Sequence, residues 1–297
     1  MSGRRRKKSR SAGDVILTII LIIAIGVFCF AGYNLIKLYL DYKNGRDQYT
    51  SIAESYTRPS AESGSQQAGS AQQEGPAASV TSAGETLKSP MDIDFAGLKA
   101  VNEDVIGWIW FEAIPDINYP VVKGKDNDEY LHRTYKKENL FVGSIFMDYQ
   151  NSSDFSDCNT IIYGHNMKDG SMFGKLSRFT SDASIYKNSR YFWIFTPDAS
   201  YRYEIFSARI CDVDGSVYTL FKGPGDEFQS WIRSMRRESQ LNTDIKEENL
   251  LVTDKVVTLS TCTGDYSTRF ILQGRLSDVI KRPGIDSGTG AVAIPAG

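Results

Sequence analysis

Three side chains that could carry covalent chemistry stand at the ends of predicted strands. Cys262 follows the hydrophobic segment 256–259, Arg269 lies at the entrance of the next predicted strand, and His165 follows the segment 160–163. A thiol acts as a nucleophile once it is ionised or deprotonated by a base, and histidine is the usual base. A guanidinium carries a fixed charge that suits a developing oxyanion. Together the three residue types are typical of a covalent acyl-transfer site.

Each of these residues also has an ordinary structural explanation. A lone cysteine is more often a small buried residue than a nucleophile, and a lone arginine most often forms a surface ion pair. The only other histidine, His132, lies in a polar stretch without a strand end and is interpreted as a surface residue. The acyl-transfer hypothesis therefore requires a fold that brings Cys262, His165 and Arg269 together.

The N-terminus predicts a membrane anchor. Six of the 34 basic residues lie in residues 1–13, which contain no acid, and no charged residue occurs between Val15 and Ile36. A helix of that length, at about 1.5 Å per residue, spans a hydrocarbon core of roughly 30 Å. The basic flank predicts a cytoplasmic N-terminus and an extracellular remainder. A cleaved signal peptide is the weaker alternative, because the apolar run is long and no clear cleavage site follows it.

Charge and cysteine content exclude several other functions. Beyond residue 13, 28 basic residues face 36 acidic ones, so a nucleic acid partner is not expected. Cys29 lies in the apolar run, and the sequence leaves open whether Cys158 and Cys211 form a disulfide or are separate buried thiols. No ligand spacing for a metal is present, and neither a metal nor a cofactor is expected.

Composition divides the chain into six predicted segments. The segment after the apolar run reads as a juxtamembrane helix, and the next is rich in Ser, Ala, Gly and Gln and cannot bury enough surface to fold. The predicted segments are a basic cytoplasmic segment at 1–13, a transmembrane anchor at 14–40, a juxtamembrane helix at 41–56, a flexible linker at 57–90, the catalytic domain at 91–281 and a disordered tail at 282–297.

The globular segment is predicted to be mainly β, because most of its apolar stretches alternate or are rich in Val, Ile, Tyr and Phe. Eight strands suggest a closed or nearly closed β-barrel with a few peripheral helices. Two helices are expected, one with the apolar face Met172, Phe173, Leu176 and Phe179, and one across residues 226–239. The predicted strands are Val105–Phe111, Ile117–Val122, Ser144–Met147, Thr160–Tyr163, Tyr191–Phe195, Tyr201–Cys211, Lys255–Ser260 and Thr268–Leu276.

Several motifs resemble those of the sortases, the cysteine transpeptidases of Gram-positive bacteria. The first three are TLSTC (258–262), TIIYGHNM (160–167) and the arginine strand TRFIL (268–272). The stretches INYPVVKGKDNDEYL (117–131) and GSIFMDY (143–149) resemble class B rather than class A members.

This resemblance, which covers about residues 92–277, implies an eight-stranded sortase-type barrel and a role for each matched residue. Cys262 would attack the carbonyl of a threonine in a sorting motif and form a thioester. His165 would protonate the leaving amine and later deprotonate the incoming one, while Arg269 would hold the carbonyl or the oxyanion. Backbone N–H groups near Cys262 could complete the oxyanion hole.

The resemblance also suggests residues with weaker support. Asn127, Leu131, Ser260 and Thr261 fall where class B members line the substrate groove. Asp265, in the loop between the cysteine and the arginine, could orient the imidazole, although a solvated acid in a turn is the stronger interpretation.

The function implied is a membrane-anchored transpeptidase that cleaves the C-terminal sorting signal of secreted proteins. The acyl acceptor would be an amine of a peptidoglycan precursor or cross-bridge, so that the product is attached to the cell wall. A sortase that polymerises pilins through a lysine and a hydrolytic cysteine peptidase are the alternatives, followed by a non-catalytic tethered binding module. The sequence does not identify the sorting motif or the amine.

Overall fold

One unbroken helix forms the N-terminal part of the computed structural model, which describes residues 12–60 and 87–282. This helix, α1, runs over Ala12–Tyr56 and joins the predicted anchor and the predicted juxtamembrane helix without interruption. Its large apolar side chains between Ile16 and Leu40 are exposed, and the helix is long and apolar enough to cross a membrane. The basic residues before Ala12 lie outside the described residues.

The second part of α1 packs against the globular domain. Its contact residues are Tyr42, Gly45, Tyr49, Ile52 and Tyr56, whose alternating spacing of three and four residues places them on one face of a helix. Gly45, Tyr49 and Ile52 are buried. The domain core therefore begins within α1, well before the boundary at residue 91 predicted from composition. The spacing was present in the sequence and could have revealed this face.

A short ribbon joins the two ends of the predicted linker. Strand β1 (Thr57–Pro59) pairs antiparallel with β2 (Met91–Ile93), with Pro59 opposite Met91. Residues 61–86 lie outside the described residues, so their flexibility stays a prediction. Because α1 already contacts the domain and both ends of the linker meet in this ribbon, the linker is not what holds the domain to α1.

Eight further strands close into a barrel, as predicted from their number and pattern. The barrel strands are β3 (Val105–Phe111), β4 (Asn118–Val122), β5 (Ile145–Met147), β6 (Asn159–Tyr163), β7 (Tyr191–Phe195), β8 (Ala199–Asp212), β9 (Val256–Cys262) and β10 (Thr268–Lys281). In space they follow the order β10, β8, β7, β3, β4, β5, β6 and β9, and β9 pairs with β10 to complete the circle. Two of the pairs, β4 with β5 and β6 with β9, are parallel.

The helices after α1 are short and peripheral. They are α2 (Phe95–Val101), α3 (Arg178–Ser181), α4 (Ala183–Asn188) and α5 (Asp226–Arg237), with 3₁₀ turns at Ser216–Tyr218 and Glu247–Asn249. The predicted apolar face of α5 is buried in a second core outside the barrel. Its four members are Phe228, Trp231, Ile232 and Met235.

The prediction of a helix over residues 172–179 is wrong, but the expected burial of its four apolar side chains is confirmed. Only its end is helical, as part of α3, and the preceding residues form turns. Met172 has a left-handed backbone with φ of 54°, and it forms an isolated bridge with Asn166, which prevents a regular helix from starting there. Its side chain and those of the other three apolar residues are nevertheless buried.

The cysteines of the globular domain are free thiols. Cys158 and Cys211 are buried and unpaired, which resolves the alternative that the sequence left open, whereas Cys262 is exposed.

Tyr49 allows a test of the contact between α1 and the barrel. Its hydroxyl, on a side chain only 3% exposed, donates to the main-chain oxygen of Gly143 at 2.6 Å. Replacing Tyr49 by Phe leaves that buried oxygen without this donor, so we expect the free energy of unfolding to fall by about 1–2 kcal/mol. Tyr39→Phe, at an exposed position of the same helix, is the control and should change it by less than about 0.5 kcal/mol. Thermal or urea unfolding of both variants in detergent checks this, and equal stabilities would contradict the contact.

Candidate active site

Parallel pairing of β6 and β9 brings the histidine and the cysteine to one edge of the barrel. Tyr163 is opposite Ser260 in this pair, and both chains continue in the same direction for two more residues, to His165 and Cys262. Asn166 extends the connection, because its Nδ2 donates to the main-chain oxygen of Cys262 at 2.7 Å. Adjacent strands lie about 4.8 Å apart, so the thiol and the imidazole stand on neighbouring backbones.

Antiparallel pairing of β9 and β10 adds the arginine. Arg269 is directly opposite Cys262, and directly opposed residues point to the same face of a sheet. The guanidinium is held by its own loop, since Nη1 donates to the main-chain oxygens of Tyr266 at 3.1 Å and of Thr268 at 2.8 Å. No described residue accepts a hydrogen bond from its other two nitrogens.

A cleft of about 390 Å³ lies over these three residues. It is lined by seven of the eight candidate residues predicted from the sequence: Cys262, His165, Arg269, Asn127, Leu131, Ser260 and Thr261. Five more lining residues were not predicted: Phe146, Tyr163, Gly164, Val213 and Tyr218. The fold thus meets the condition that the acyl-transfer hypothesis set.

The imidazole of His165 is oriented by a main-chain carbonyl. Its Nε2 lies 2.6 Å from the oxygen of Leu131. A carbonyl only accepts, so Nε2 carries a proton and Nδ1 is the basic nitrogen of the neutral ring. Burial lowers the pKa of His165 below its ordinary value of 6.5, and a charge on His132 lowers it further, while the Leu131 hydrogen bond opposes both. The ring is therefore mainly neutral at pH 7 and can accept a proton.

Two further rings surround this imidazole. The ring centroid of His165 lies 5.4 Å from that of His132 and 5.8 Å from that of Phe141, and all three rings are nearly parallel. His132 is exposed, as expected for a surface histidine, but it also contacts the candidate base. No sequence pattern predicts that Phe141 contacts His165, because the two residues are 24 positions apart in the chain.

Asp265 is not positioned to orient the imidazole. Its carboxylate accepts hydrogen bonds from the main-chain nitrogen and the hydroxyl of Ser267, both at 2.8 Å, and these bonds lower its pKa. It closes the exposed turn between β9 and β10, where a short acidic side chain caps free N–H groups. The orienting role suggested for Asp265 belongs to the carbonyl of Leu131.

A polar network fixes two side chains that line the cleft, the predicted Asn127 and the unpredicted Tyr163. Asn127 donates through Nδ2 to Asp148 Oδ2 at 2.8 Å and accepts from the nitrogen of Tyr149 at 3.1 Å. Tyr163 donates to the same Asp148 oxygen at 3.0 Å. Asp148 is buried and was not predicted, although it lies in the quoted stretch 143–149. Its carboxylate holds two groove side chains in place.

The hydroxyls of the two predicted groove residues on β9, Ser260 and Thr261, differ in their hydrogen bonding. Ser260 Oγ lies 2.8 Å from the hydroxyl of Tyr218. Thr261 Oγ1 is buried and has no hydrogen-bond partner among the residues that the structure describes, which is unfavourable for a buried hydroxyl. Thr261 lines the cleft next to Cys262, but successive side chains of a strand alternate, so its hydroxyl lies on the opposite face of β9 from the thiol. Within residues 12–60 and 87–282, no group of three or more His, Cys, Asp or Glu residues is arranged to hold a metal.

Comparisons with known proteins agree with this geometry. The Sortase domain model matches residues 112–277. Sortase B of Listeria monocytogenes is 35% identical over 182 residues, which cover 60% of this chain and 72% of that protein. Sortase B of Staphylococcus aureus is 29% identical over 252 residues, or 84% of this chain and 91% of that protein.

The chain is also similar to solved structures of sortase B. Sortase B of Bacillus anthracis in complex with AAEK1 has a TM-score of 0.61 at 30% identity and covers 82% of this chain and 100% of its own. A Staphylococcus aureus sortase B–substrate complex has a TM-score of 0.57 at 29% identity and covers 62% of this chain and 84% of its own.

Gly143 tests the close approach that orients His165. Its φ is 58°, and a Cβ there would lie 2.2 Å from the oxygen of Leu131. Gly143→Ala must therefore move the carbonyl that accepts from His165. We expect a loss of at least about 2 kcal/mol in the free energy of unfolding and a shifted Nε2–H signal of His165 in ¹⁵N NMR spectra.

Gly170→Ala is the matched control for this substitution. Gly170 also has positive φ, at 80°, but its Cβ would meet only the flexible side chain of Lys175. This variant should lose about 1 kcal/mol and leave the His165 signal unchanged. An unchanged His165 signal in Gly143→Ala would show that the Leu131 carbonyl does not depend on the glycine.

Proposed function

The chain belongs to the sortase family of cysteine transpeptidases, class B, and from this premise we propose that Cys262, His165 and Arg269 are its catalytic residues. The observation that supports the proposal most strongly is the barrel register. Cys262 is placed beside His165 by β6 and opposite Arg269 on β10, with all three side chains lining one cleft.

In the first half-reaction the Cys262 sulfur attacks the carbonyl carbon of the scissile threonine in a sorting motif. Nδ1 of His165 takes the thiol proton, and the imidazolium then gives it to the leaving amine as the carbon–nitrogen bond breaks. The products are a thioester on Cys262 and the released C-terminal segment. The Leu131 carbonyl keeps Nε2 engaged, so Nδ1 faces the reaction in both directions.

In the second half-reaction an amine attacks the thioester carbon. His165 accepts the amine proton and returns it to the departing sulfur, so that an amide forms and Cys262 is regenerated. Each tetrahedral intermediate carries a negative oxygen, and Arg269 is the fixed charge nearest to Cys262 along the sheet. Its free guanidinium nitrogens would donate to that oxygen.

The N-terminal helix is the proposed membrane anchor. The large apolar side chains between Ile16 and Leu40 are exposed in the part of the chain that the structure describes, and lipid would shield them from water. The basic residues before α1 favour a cytoplasmic N-terminus and an extracellular barrel. In this position the domain meets proteins that emerge from secretion.

Secreted proteins with a C-terminal sorting signal are the proposed donors, and an amine of the peptidoglycan precursor or cross-bridge is the proposed acceptor. Family membership supports the donor class, because sortases act on sorting signals. A substrate complex of the Staphylococcus aureus sortase B shows that a member of this class is captured with its substrate. The product would be a surface protein attached to the cell wall.

Mass spectrometry of the full chain with a panel of sorting-motif peptides tests the catalytic assignment. Wild type should form a thioester adduct on Cys262 with at least one peptide, and Cys262→Ala should form none. Removing the base by His165→Ala should lower kcat/KM by about 10²–10⁴-fold, and Arg269→Ala by about 10²–10³-fold. Cleavage by Cys262→Ala at the wild-type rate would refute the assignment.

The same assay with added triglycine separates transfer from hydrolysis. A transpeptidase yields peptide ligated to the glycine amine, and the ligated fraction rises with triglycine concentration. If only the free acid is formed at every concentration, the chain acts as a hydrolase on these peptides.

The pH dependence of kcat/KM for the donor peptide tests the role of His165. Protonation of Nδ1 removes the base, so the rate should fall as the pH falls. Because burial lowers the pKa of His165, the midpoint of this fall should lie below 6.5. A midpoint at or above 6.5 would mean that the buried imidazole does not control the acidic limb.

A further inference from the structure

The docked part of α1 reaches the same barrel rim as the catalytic cleft. Tyr49 lies against Tyr119 at the start of β4, with ring centroids 5.4 Å apart, and bonds Gly143 just before β5. The starts of β4 and β5 and the ends of β6 and β9 all face one rim. The helix therefore covers one side of the site rather than a distant face of the barrel.

Every described contact that orients the His165 ring from this side comes from the segment 131–141. The segment supplies the carbonyl of Leu131 and the rings of His132 and Phe141. It is folded on itself, because the nitrogen of Leu140 donates to the oxygen of His132 at 3.0 Å. A movement of this segment moves all three groups together.

The outer side of the segment is held by α1. The ring of Tyr42 lies 6.2 Å from that of Phe141, and Gly45 packs so closely on Val142 that a Cβ would come within 2.9 Å of its methyl carbon. One turn later, Gln48 donates to Glu138 at 2.7 Å. Phe141 is 49% exposed, so without α1 this ring would have little packing to fix it.

We propose that the docked part of α1, through Tyr42 and Gly45, holds Phe141 in contact with His165 and so acts as a positioning element for the catalytic base. This inference rests on the proposed role of His165. The same continuous helix then forms both the anchor and one wall of the active-site support. A misplacement of about 1 Å in a catalytic group can cost as much as 10²-fold in rate.

Two glycines of α1 provide a matched pair of variants. Gly45→Leu places a side chain against Val142 and should lift the helix from the segment, whereas Gly32→Leu adds the same side chain where nothing lies within 4 Å. Both changes also replace a helical glycine, so propensity effects cancel. Phe141→Ala removes the ring without touching α1, and Phe141→Tyr keeps the ring as a conservative control.

Steady-state kinetics of the full chain in detergent give the first measurement. Gly45→Leu and Phe141→Ala should both lower kcat about 10- to 100-fold. Phe141→Ala should keep KM within about twofold of wild type, because Phe141 does not line the cleft and only base positioning is altered. Gly32→Leu and Phe141→Tyr should stay within about twofold of wild type in both constants.

Imidazole NMR gives a second measurement that does not need activity. The chain has two histidines, so His132→Gln assigns both signals. The titratable or charged groups that line the cleft with His165 are Cys262, Arg269, Tyr163 and Tyr218, and His132 stacks on its ring. Because burial is the main cause that lowers the pKa of His165, Phe141→Ala and Gly45→Leu should raise it towards 6.5, while Gly32→Leu should not.

The outcomes separate this inference from the proposed function. A wild-type chain without a thioester adduct refutes the catalytic assignment, and the NMR titration then still decides whether α1 fixes the imidazole. If Gly45→Leu is folded by circular dichroism and matches Gly32→Leu in both kcat and titration, α1 is not a positioning element. If Gly45→Leu does not fold, Phe141→Ala decides, and wild-type kcat in that variant overturns the proposal.

Discussion

The parallel pairing of β6 with β9 is the constraint on which both the barrel and the site depend. The two strands are about 100 residues apart in the chain, and their contact lets β10 and β8 complete the circle. On the face of these strands that points away from the barrel core, Thr258 donates to Asn159 at 2.7 Å and Gln273 donates to Thr258 at 3.0 Å, which ties β6, β9 and β10 in one register. A slip of one residue would turn each side chain to the other face. The strand pairings that close the barrel are therefore also the ones that bring the thiol, the imidazole and the guanidinium together.

Orientation of the base by a main-chain carbonyl has a chemical consequence. A carboxylate beside an imidazole would stabilise the charged ring and raise its pKa, whereas the neutral oxygen of Leu131 does so only weakly. Burial therefore outweighs the hydrogen bond, and the pKa of His165 falls. A ring that is neutral at rest suits the proposed second half-reaction, in which it would take a proton from an incoming amine. The left-handed backbone of Gly143 gives that carbonyl its space.

Sequence patterns predicted the strands and the residues at their ends, but not the contacts between residues that are distant in the chain. The alternation of apolar residues predicted the eight strands. The positions of Cys262, His165 and Arg269 at strand ends made them candidate site residues, because a side chain at a barrel rim meets solvent. The partners of His165 were not predictable, since Leu131 and Phe141 approach it only after β5 and β6 have paired. Composition predicts a flexible linker over residues 57–90, but the pairing of β1 with β2 at its two ends depends on residues that carry no pattern of their own. Periodicity failed at Met172, where a left-handed residue overrides the helical spacing.

The docking of α1 changes how the membrane and the site are related. A flexible linker between anchor and domain would let the distance between the cleft and the membrane vary. Here α1 is one continuous helix, and it packs on the barrel rim that carries the cleft. From Ile36, the last residue of the uncharged run, to Tyr42 the helix rises about 9 Å. The headgroup layer is about 5–8 Å thick on each side of the hydrocarbon core. With α1 spanning the membrane as proposed, the packing of Tyr42 on Phe141 fixes the cleft just outside the headgroups. The height of the site above the membrane then follows from helix geometry rather than from linker length.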